Sequence, residues 1–200
     1  MRFDKICVLG GLLALAAAAS AQPSQSGNRA PETKASGVNA VPRIEVSVGY
    51  AYLHANAPPG ACQCFSLNGG YGSIVGNLAH GYSLVADMSA AHASGIVGTT
   101  QSLTVIDYLF GPRYSWRHGS GRFTPYGEAL FGDSTQASNA VAIPRVTAFA
   151  FGAGGGVNAV MSKHLGWNVV NASWIHSELP NGVNNRQNVL KIESGVIFRF

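Results

Sequence analysis

The chain has 200 residues, of which 46% are hydrophobic and only 11% are charged. An ordinary soluble domain carries a charge on roughly a quarter of its residues, so this composition favours surroundings other than water. The formal net charge of +4, without any basic run, argues against a nucleic-acid partner.

The first residues predict a secretory signal peptide over 1–21. An apolar stretch over 6–19 leads into Ala19-Ser20-Ala21, which has the small-x-small pattern of a cleavage site. A membrane anchor helix is the alternative, but the stretch is shorter than the roughly 20 residues that a helix needs to cross a bilayer. Residues 22–42 are rich in Pro, Ser, Asn and Gly and predict a flexible exported leader.

The remainder, residues 43–200, has a period of two that predicts membrane-crossing strands. A strand of about 9 to 11 residues crosses a bilayer when lipid-facing and lumen-facing side chains alternate, and the barrel must close. In the first segment, Ile44, Val46 and Val48 alternate with polar and small residues. The pattern predicts an all-β fold, an eight-stranded antiparallel transmembrane up-and-down β-barrel, from the segments 43–54, 67–78, 82–91, 103–117, 122–132, 146–160, 165–175 and 188–200. The segment 67–78 is the weakest, and its faces are left unassigned.

The connections between these segments alternate in length, as in a membrane barrel. Such barrels have short periplasmic turns and longer outer loops, whereas a soluble β-sandwich has no reason to alternate. The predicted long loops are 55–66, 92–102, 133–145 and 176–187, and the predicted short turns are 79–81, 118–121 and 161–164. Both ends of the barrel domain are therefore expected on the side of the short turns.

Polar residues at inward positions predict a charged network inside the barrel. Eight strands leave an interior that side chains just fill. Acidic and basic residues of nearly balanced charge are expected there, namely Arg43, Glu45, Asp87, Asp107, Arg113, Glu128, Lys191, Glu193 and Arg199. We interpret them as a polar plug that packs the interior, with a gated ion path as the alternative. Gly152, Gly154 and Gly156 alternate along one segment and are expected to make room for bulky side chains across the lumen.

The histidines and cysteines predict no metal or cofactor site. The six histidines are spread along the chain, one near each of several strand ends, without the converging ligands that a metal needs. Cys62 and Cys64 lie in the first long loop, where export favours oxidation, and they predict a tight disulfide across one residue.

Four stretches resemble a known family, namely FGPRYSWR (110–117), TPYGEALFG (124–132), FGAGGGVN (151–158) and LPNGVNNRQNVLKIESGVIFRF (179–200). They are similar to the small OmpA-like outer-membrane β-barrels of Gram-negative bacteria, and the resemblance covers 43–200. It implies a place in the bacterial outer membrane, a leader in the periplasm, and contact with outer-membrane lipid and lipopolysaccharide. It also implies that Val196, Phe198 and Phe200 form the signal read by the barrel-assembly machinery, with periplasmic chaperones acting during biogenesis. Ser194 interrupts the apolar alternation of that segment.

We expect a structural role, or a surface interaction through the extracellular loops, without a catalytic centre, since loops on a rigid scaffold usually carry binding residues. A low-conductance pore is one alternative. A lipid A-modifying acyl hydrolase is the other, because eight-stranded barrels with that activity use a His and a Ser with a carboxylate. His176, Ser177 and Glu178 are the candidates for that chemistry, but neighbouring strand residues point oppositely, whereas a general base must reach its nucleophile.

Overall fold

The computed structural model describes residues 40–55, 64–95, 101–117, 122–139, 145–180 and 185–200. These ranges contain eight β-strands, β1 (Ile44–Ala55), β2 (Phe65–Asn77), β3 (Tyr82–Ser94), β4 (Ser102–Ser115), β5 (Phe123–Ser138), β6 (Val146–Val160), β7 (Leu165–Ser177) and β8 (Gln187–Arg199). Each strand pairs antiparallel with the next, and β1 pairs with β8 to close a barrel. The predicted eight-stranded antiparallel barrel is confirmed.

Alternating side chains place polar positions inside the barrel and apolar positions outside. In β3, Leu84 and Met88 are exposed on the outer face, while Val85 and Asp87 are buried in the interior. Successive side chains of a strand point to opposite faces, so the closed sheet separates one interior from one outer surface.

The structure assigns the faces of β2, which the sequence left open. Leu67, Tyr71 and Val75 are buried in the interior, and Ile74 is exposed on the outer face. Glycines occupy several other positions of this strand, and a glycine has no side chain to mark a face. The spacing of Leu67, Tyr71 and Val75 is therefore the signal that identifies the inward side.

The strands extend further towards the long connections than the sequence pattern predicts. β5 continues to Ser138 because its last residues still pair with β4 and β6. Within that extension the hydroxyl groups of Thr135 and Thr147 lie 2.8 Å apart. The connection after β5 is thus reduced to 139–145, from the predicted 133–145.

The predicted alternation of long and short connections holds only in part. The connections over 78–81 and 161–164 are tight, but the one between β4 and β5 spans 116–122. It is no shorter than the connection over 139–145, because β4 ends at Ser115 and β5 begins at Phe123. The pairing fades gradually there, since the N–H of Trp116 still donates to the carbonyl of Pro125 at 2.9 Å.

We call the end of the barrel with the β2–β3, β4–β5 and β6–β7 connections the turn end, and the opposite end the loop end. β1 begins and β8 finishes at the turn end, where the N–H groups of Arg43 and Ile44 both donate to the carbonyl oxygen of Phe200. In the β2–β3 turn, Gly81 has a φ of 88°. A Cβ atom at Gly81 would lie 2.7 Å from the carbonyl oxygen of Ser115, so this turn requires glycine.

Several predictions fall outside the described residues. They are the signal peptide over 1–21, the leader through residue 39, and Cys62 with its disulfide, all of which stay predictions. Cys64 is described and is exposed just before β2. Within the described ranges, no helix is long and apolar enough to cross a bilayer.

Candidate functional site

The interior of the barrel has an apolar half near the loop end and a charged half towards the turn end. The apolar half is built by side chains from successive strands, namely Leu53, Ala55, Leu67, Leu103, Val105, Ile175 and Val189. The cavity left among them is about 10 Å³, which is no more than one water molecule needs.

Leu179 closes this apolar half at the loop end. It follows β7 and belongs to no strand, yet only 1% of it is exposed, and it lines the small cavity. The side-chain amide of Gln136 donates to the carbonyl of Pro180 at 3.1 Å, and Gln187 donates to Gln136 at 3.3 Å. These hydrogen bonds hold the segment that carries Leu179 at the mouth of the barrel.

Lys191 is the centre of the charged half. Its Nζ atom lies 2.5 Å from Asp87 Oδ1, and it forms an ion pair at 2.8 Å with Glu193 Oε1 that lacks hydrogen-bond geometry. Only 1% of the Lys191 side chain is exposed. A buried ion must be well paired, because its removal from water is costly. Lys191 and Glu193 share the inward face of β8, while Asp87 reaches them from β3.

Arg113 and Glu128 form a second buried ion pair. Glu128 Oε2 accepts from Arg113 Nε at 2.9 Å and from Arg113 Nη2 at 2.6 Å. The guanidinium carbon lies 4.0 Å from the ring centroid of Tyr126, which is a cation–π distance. The two residues are register partners on β4 and β5, so the closed sheet itself aligns them.

Asn171 joins the two ion pairs into one network. Its Nδ2 atom donates to Glu128 Oε1 at 2.9 Å and to Glu193 Oε2 at 3.2 Å. The Ser173 hydroxyl donates to the carbonyl oxygen of the Asn171 side chain at 3.3 Å. A continuous chain of polar contacts therefore runs across the lumen from Arg113 to the Lys191 cluster.

A β-bulge in β7 turns two asparagines towards this network. Asn168 and Asn171 would face opposite sides in a regular strand, but the register of β7 against β8 shifts between them, and both are buried. A bulge leaves backbone groups outside the ladder. The carbonyl of Asn168 accepts from Ser194 Oγ at 3.0 Å, and the indole N–H of Trp167 donates to Ser194 Oγ at 3.2 Å. Ser194 interrupts the apolar alternation of β8 because it completes this bulge.

Asp107 lies at the border of the two halves. Its Oδ1 atom accepts from the Ser134 hydroxyl at 2.6 Å, and its Oδ2 atom accepts from the Ser89 hydroxyl at 3.3 Å. Asp107 also lines the small apolar cavity. Two neutral donors thus satisfy a buried carboxylate in the middle of the barrel.

The turn end holds a looser ion pair. Arg199 Nε lies 3.7 Å from Glu45 Oε1, and the Arg199 guanidinium donates to the carbonyls of Ser162 and Ala40 at 3.0 and 2.9 Å. Arg43 was expected inside but is exposed, because it lies at the rim of the barrel, directly before β1. Arg43 therefore does not belong to the buried network.

The buried charges are less balanced than the sequence predicts. With Arg43 outside and Arg199 paired to Glu45 at the turn end, the central network contains the carboxylates Asp87, Asp107, Glu128 and Glu193 and the cations Arg113 and Lys191. Lys191 is shared by Asp87 and Glu193, whereas Arg113 pairs with Glu128 alone. Amide and hydroxyl groups donate to the oxygens of Asp107 and to one oxygen each of Glu128 and Glu193. This arrangement of ion pairs and hydrogen bonds is suited to filling the lumen and to holding the strands around it together.

The glycines of β6 make room mainly for the neighbouring strands, and not, as the sequence predicts, for bulky side chains across the lumen. A Cβ atom at Gly152 or Gly156 would come closest to a backbone carbonyl oxygen of β7. A Cβ atom at Gly156 would lie 2.7 Å from the hydroxyl of Tyr126, and one at Gly154 would overlap the hydroxyl of Ser173. Ser173 and Tyr126 are the register partners of these two glycines on β7 and β5, so the close approaches are between adjacent strands.

The candidate catalytic residues are not brought together. The Ser177 side chain is buried in the interior, whereas His176 is on the outer face, where its Nδ1 atom lies 2.9 Å from Asn188 Oδ1. Glu178 is exposed beyond the end of β7. In the part of the chain that the structure describes, no group of three or more His, Cys, Asp or Glu side chains could hold a metal ion.

The fold is shared with solved structures, although no family model and no curated protein matches the sequence. Neisserial surface protein A is 14% identical, with a TM-score of 0.59, over 78% of this chain and 97% of that chain. Ail, the attachment invasion locus protein of Yersinia pestis, is 15% identical, with a TM-score of 0.53, over 80% of this chain and 99% of that chain. This chain has the fold of the small outer-membrane β-barrels. The outer membrane protein OprG of Pseudomonas aeruginosa is 11% identical, with a TM-score of 0.52, over 80% of this chain and 96% of that chain.

Sequence reasoning missed several residues that complete the network. Ser89 has an inward position in the alternation of 82–91 but was not assigned to the network, and Ser134 keeps the inward parity of its strand but lies beyond the predicted segment 122–132. Asn171 was on a recognised inward face, but its link between two carboxylates depends on the register of three strands. Leu179 carries no sequence signal, because nothing local shows that a residue after a strand folds back over the lumen.

Proposed function

We propose that this chain is an integral protein of the bacterial outer membrane, reached by export, whose barrel is surrounded by lipid. The observation that carries the proposal is the apolar outer face, where Ile74, Leu84 and Phe110 are 56%, 52% and 65% exposed. Such a band exposed to water would be unfavourable, whereas hydrocarbon accepts it. The closed sheet also leaves no unpaired backbone edge towards the lipid.

Aromatic and polar side chains on the outer face indicate where the proposed lipid-facing band ends at the two ends of the barrel. At the turn end, the rings of Tyr82, Tyr114 and Trp116 form edge-to-face contacts with centroids 5.0 and 5.2 Å apart, as expected at headgroup level. Towards the loop end, the outer face becomes polar, with hydrogen-bonded pairs His54–Ser66, His92–Thr104 and His176–Asn188. The strands would therefore project beyond the membrane on the loop side.

The role we propose is structural, or a surface interaction through the connections at the loop end. The plugged interior favours this role over transport, since loops on a rigid scaffold are where binding residues usually lie. The names of two fold neighbours, an attachment invasion locus protein and a surface protein, agree with it. Lipopolysaccharide and other outer-membrane lipids would be the surrounding partners.

Electrophoretic mobility in SDS tests the membrane barrel. The protein extracted from outer membranes should run compactly without heating and more slowly after boiling, because a closed barrel resists SDS until heated. A protein found in the aqueous periplasmic extract, with a mobility that heating does not change, would contradict the proposal.

Single-channel recording tests the pore alternative. The network from Arg113 through Glu128 to Lys191 fills the lumen, so planar bilayers containing the protein should stay silent. Regular conductance steps that change in Arg113→Ala or Glu128→Ala would favour the pore instead.

The hydrolase alternative gains no support from the opposed faces of His176 and Ser177, and lipid A mass spectra unchanged by His176→Ala are expected.

The last strand supports the proposed assembly signal. Val196, Phe198 and Phe200 are 42%, 42% and 70% exposed on the outer face, where the barrel-assembly machinery could read them. Phe200→Ala should lower the amount of folded protein in the outer membrane. Phe123→Ala is the matched control, since Phe123 is an equally exposed ring at the turn end, and an equal loss in both variants would argue against a specific signal.

A further inference from the structure

The two ends of the barrel differ in charge. Exposed cations surround the turn end, namely Arg43, Arg117, Arg122 and Lys163, and we call these four the basic collar. Arg199 lies just inside them, and Glu45 is the acidic side chain of that end among the described residues. At the loop end, the exposed cations Arg145 and Arg186 are matched by Asp133 and Glu178.

The basic collar lies next to the edge of the lipid-facing band. Arg117 directly follows Trp116, which is 49% exposed, and Arg122 directly precedes Phe123, which is 65% exposed. Arg43 likewise precedes Ile44, the first residue of β1. Interfacial aromatic rings sit at the level of lipid headgroups, so the cations one residue beyond them are at the depth of headgroup phosphates.

The local environment of Arg117 favours an added anion. Its Nη2 atom donates to Asn77 Oδ1 at 2.8 Å, which fixes the guanidinium at the rim. Partial burial lowers the pKa of Arg117, Glu45 counteracts that shift, and the nearby Arg199 lowers the pKa further. Glu45 thus offsets the like charge of Arg199 at Arg117, and the effect of partial burial remains, while Arg199 itself is held by main-chain carbonyls.

We propose that the basic collar binds the phosphate groups of anionic phospholipids in the leaflet at the turn end. This inference rests on the proposed membrane location and adds a lipid class to it. Cations near a membrane surface attract anionic headgroups over about a Debye length. The collar offers them from the residue before β1, from the β4–β5 connection and from the β6–β7 turn. The opposite rim has no such excess of charge among the described residues, so the preference should belong to the turn end alone.

Spin-labelled lipids measure this preference directly. The mature full chain, folded into phosphatidylcholine vesicles, would be compared for immobilisation of labelled phosphatidylglycerol and labelled phosphatidylcholine. Arg122→Gln with Lys163→Gln removes two collar charges that lie outside the strands, and Arg145→Gln with Arg186→Gln is the matched loop-end control. We expect selectivity for phosphatidylglycerol in the wild type and in the control, reduced on the order of tenfold in the collar variant.

Three outcomes would overturn the inference. The first is equal immobilisation of both lipids, and the second is a loss of selectivity in the loop-end control rather than in the collar variant. The third is complete suppression of selectivity by inorganic phosphate, but not by chloride of the same ionic strength, which would assign the collar to soluble phosphate. A chain that enters no vesicle and immobilises no lipid at all would instead contradict the proposed membrane location, so the two failures are distinguishable.

Discussion

The apolar half and the charged half of the interior are buried to the same extent but are stabilised in different ways. Leu53 and Leu67 are each 1% exposed, and so are Lys191 and Glu193. An apolar side chain gains free energy roughly in proportion to the area it removes from water. A charged side chain loses its hydration and regains that free energy only from partners with suitable geometry.

This difference predicts two kinds of response to substitution. In the apolar half, each side chain should contribute on its own, so a smaller residue should cause a graded loss that reflects the space it leaves. In the charged half, the contributions should be coupled, because removing one partner leaves the others buried without compensation. Substitutions in the two halves should therefore behave differently.

Lys191→Met should give the largest effect. The substitution leaves Asp87 and Glu193 buried without their cation, and breaking a buried pair in this way costs about 3 to 5 kcal/mol. The free energy of unfolding would be measured by urea titration of the barrel in lipid vesicles. Leu190→Met, at the neighbouring position of β8 but on the outer face, is the control and should unfold like the wild type.

A triple variant sharpens this result. Asp87→Leu and Glu193→Leu added to Lys191→Met remove the stranded carboxylates, so most of the lost stability should return. If the triple variant unfolds as easily as Lys191→Met alone, uncompensated charge is not the cause of the loss, and the contrast between the two halves fails.

Leu53→Ala should have the next largest effect. It empties part of the apolar half, where the existing cavity is only about 10 Å³, and a buried leucine truncated in this way typically costs about 2 to 4 kcal/mol. The same urea titration measures it, with Leu53→Met as the volume-conserving control, expected to lose less than about 1.5 kcal/mol. An equal loss in both variants would show that the loss does not follow the volume removed, and the graded response expected of this half would fail.

Most of the barrel could be predicted from sequence because its signal repeats along each strand. In β3, for example, Leu84 and Met88 lie on the outer face while Val85 and Asp87 face the lumen, and a period of two in the sequence shows this directly. The pattern fails where side chains are absent, as in the glycines of β2. It also fails at strand ends such as Ser138, because pairing with neighbouring strands extends a strand beyond its own apolar alternation.

The sequence predicts which residues belong to the charged network, but not which of them contact one another. Asp87 and Lys191 are far apart in sequence, and their contact depends on the closure of β1 on β8 and on the register of the strands between them. The position of Asn171 depends further on a bulge, which shifts a strand by one residue without a local sequence mark. The exposure of Arg43 depends on where the rim of the barrel lies, and the alternation of inward and outward residues does not indicate that position.

Asn171→Leu tests the connection that sequence could not reveal. The substitution keeps the size of the side chain but removes the donor shared by Glu128 and Glu193, and a lost buried hydrogen bond to charged groups costs about 1.5 to 3 kcal/mol. Asn188→Leu removes an amide from the partly exposed pair with His176 and should cost less. In a double-mutant cycle, Asn171→Leu and Glu128→Gln should be non-additive, and simple additivity would show that Asn171 does not couple the ion pairs.

Ser194→Ala should give the smallest effect, and it tests the bulge that positions Asn171. It removes the hydroxyl that donates to the Asn168 carbonyl and accepts from the Trp167 indole, so a loss of about 1 kcal/mol is expected. Alanine is also less polar than serine. At a position that only faced lipid, this substitution would therefore stabilise the barrel. Ser194→Thr keeps the hydroxyl and should retain wild-type stability and the fluorescence of Trp167. If Ser194→Ala is at least as stable as the wild type, the bulge keeps its shape without Ser194. The position of Asn171 is then set only by its contacts in the lumen.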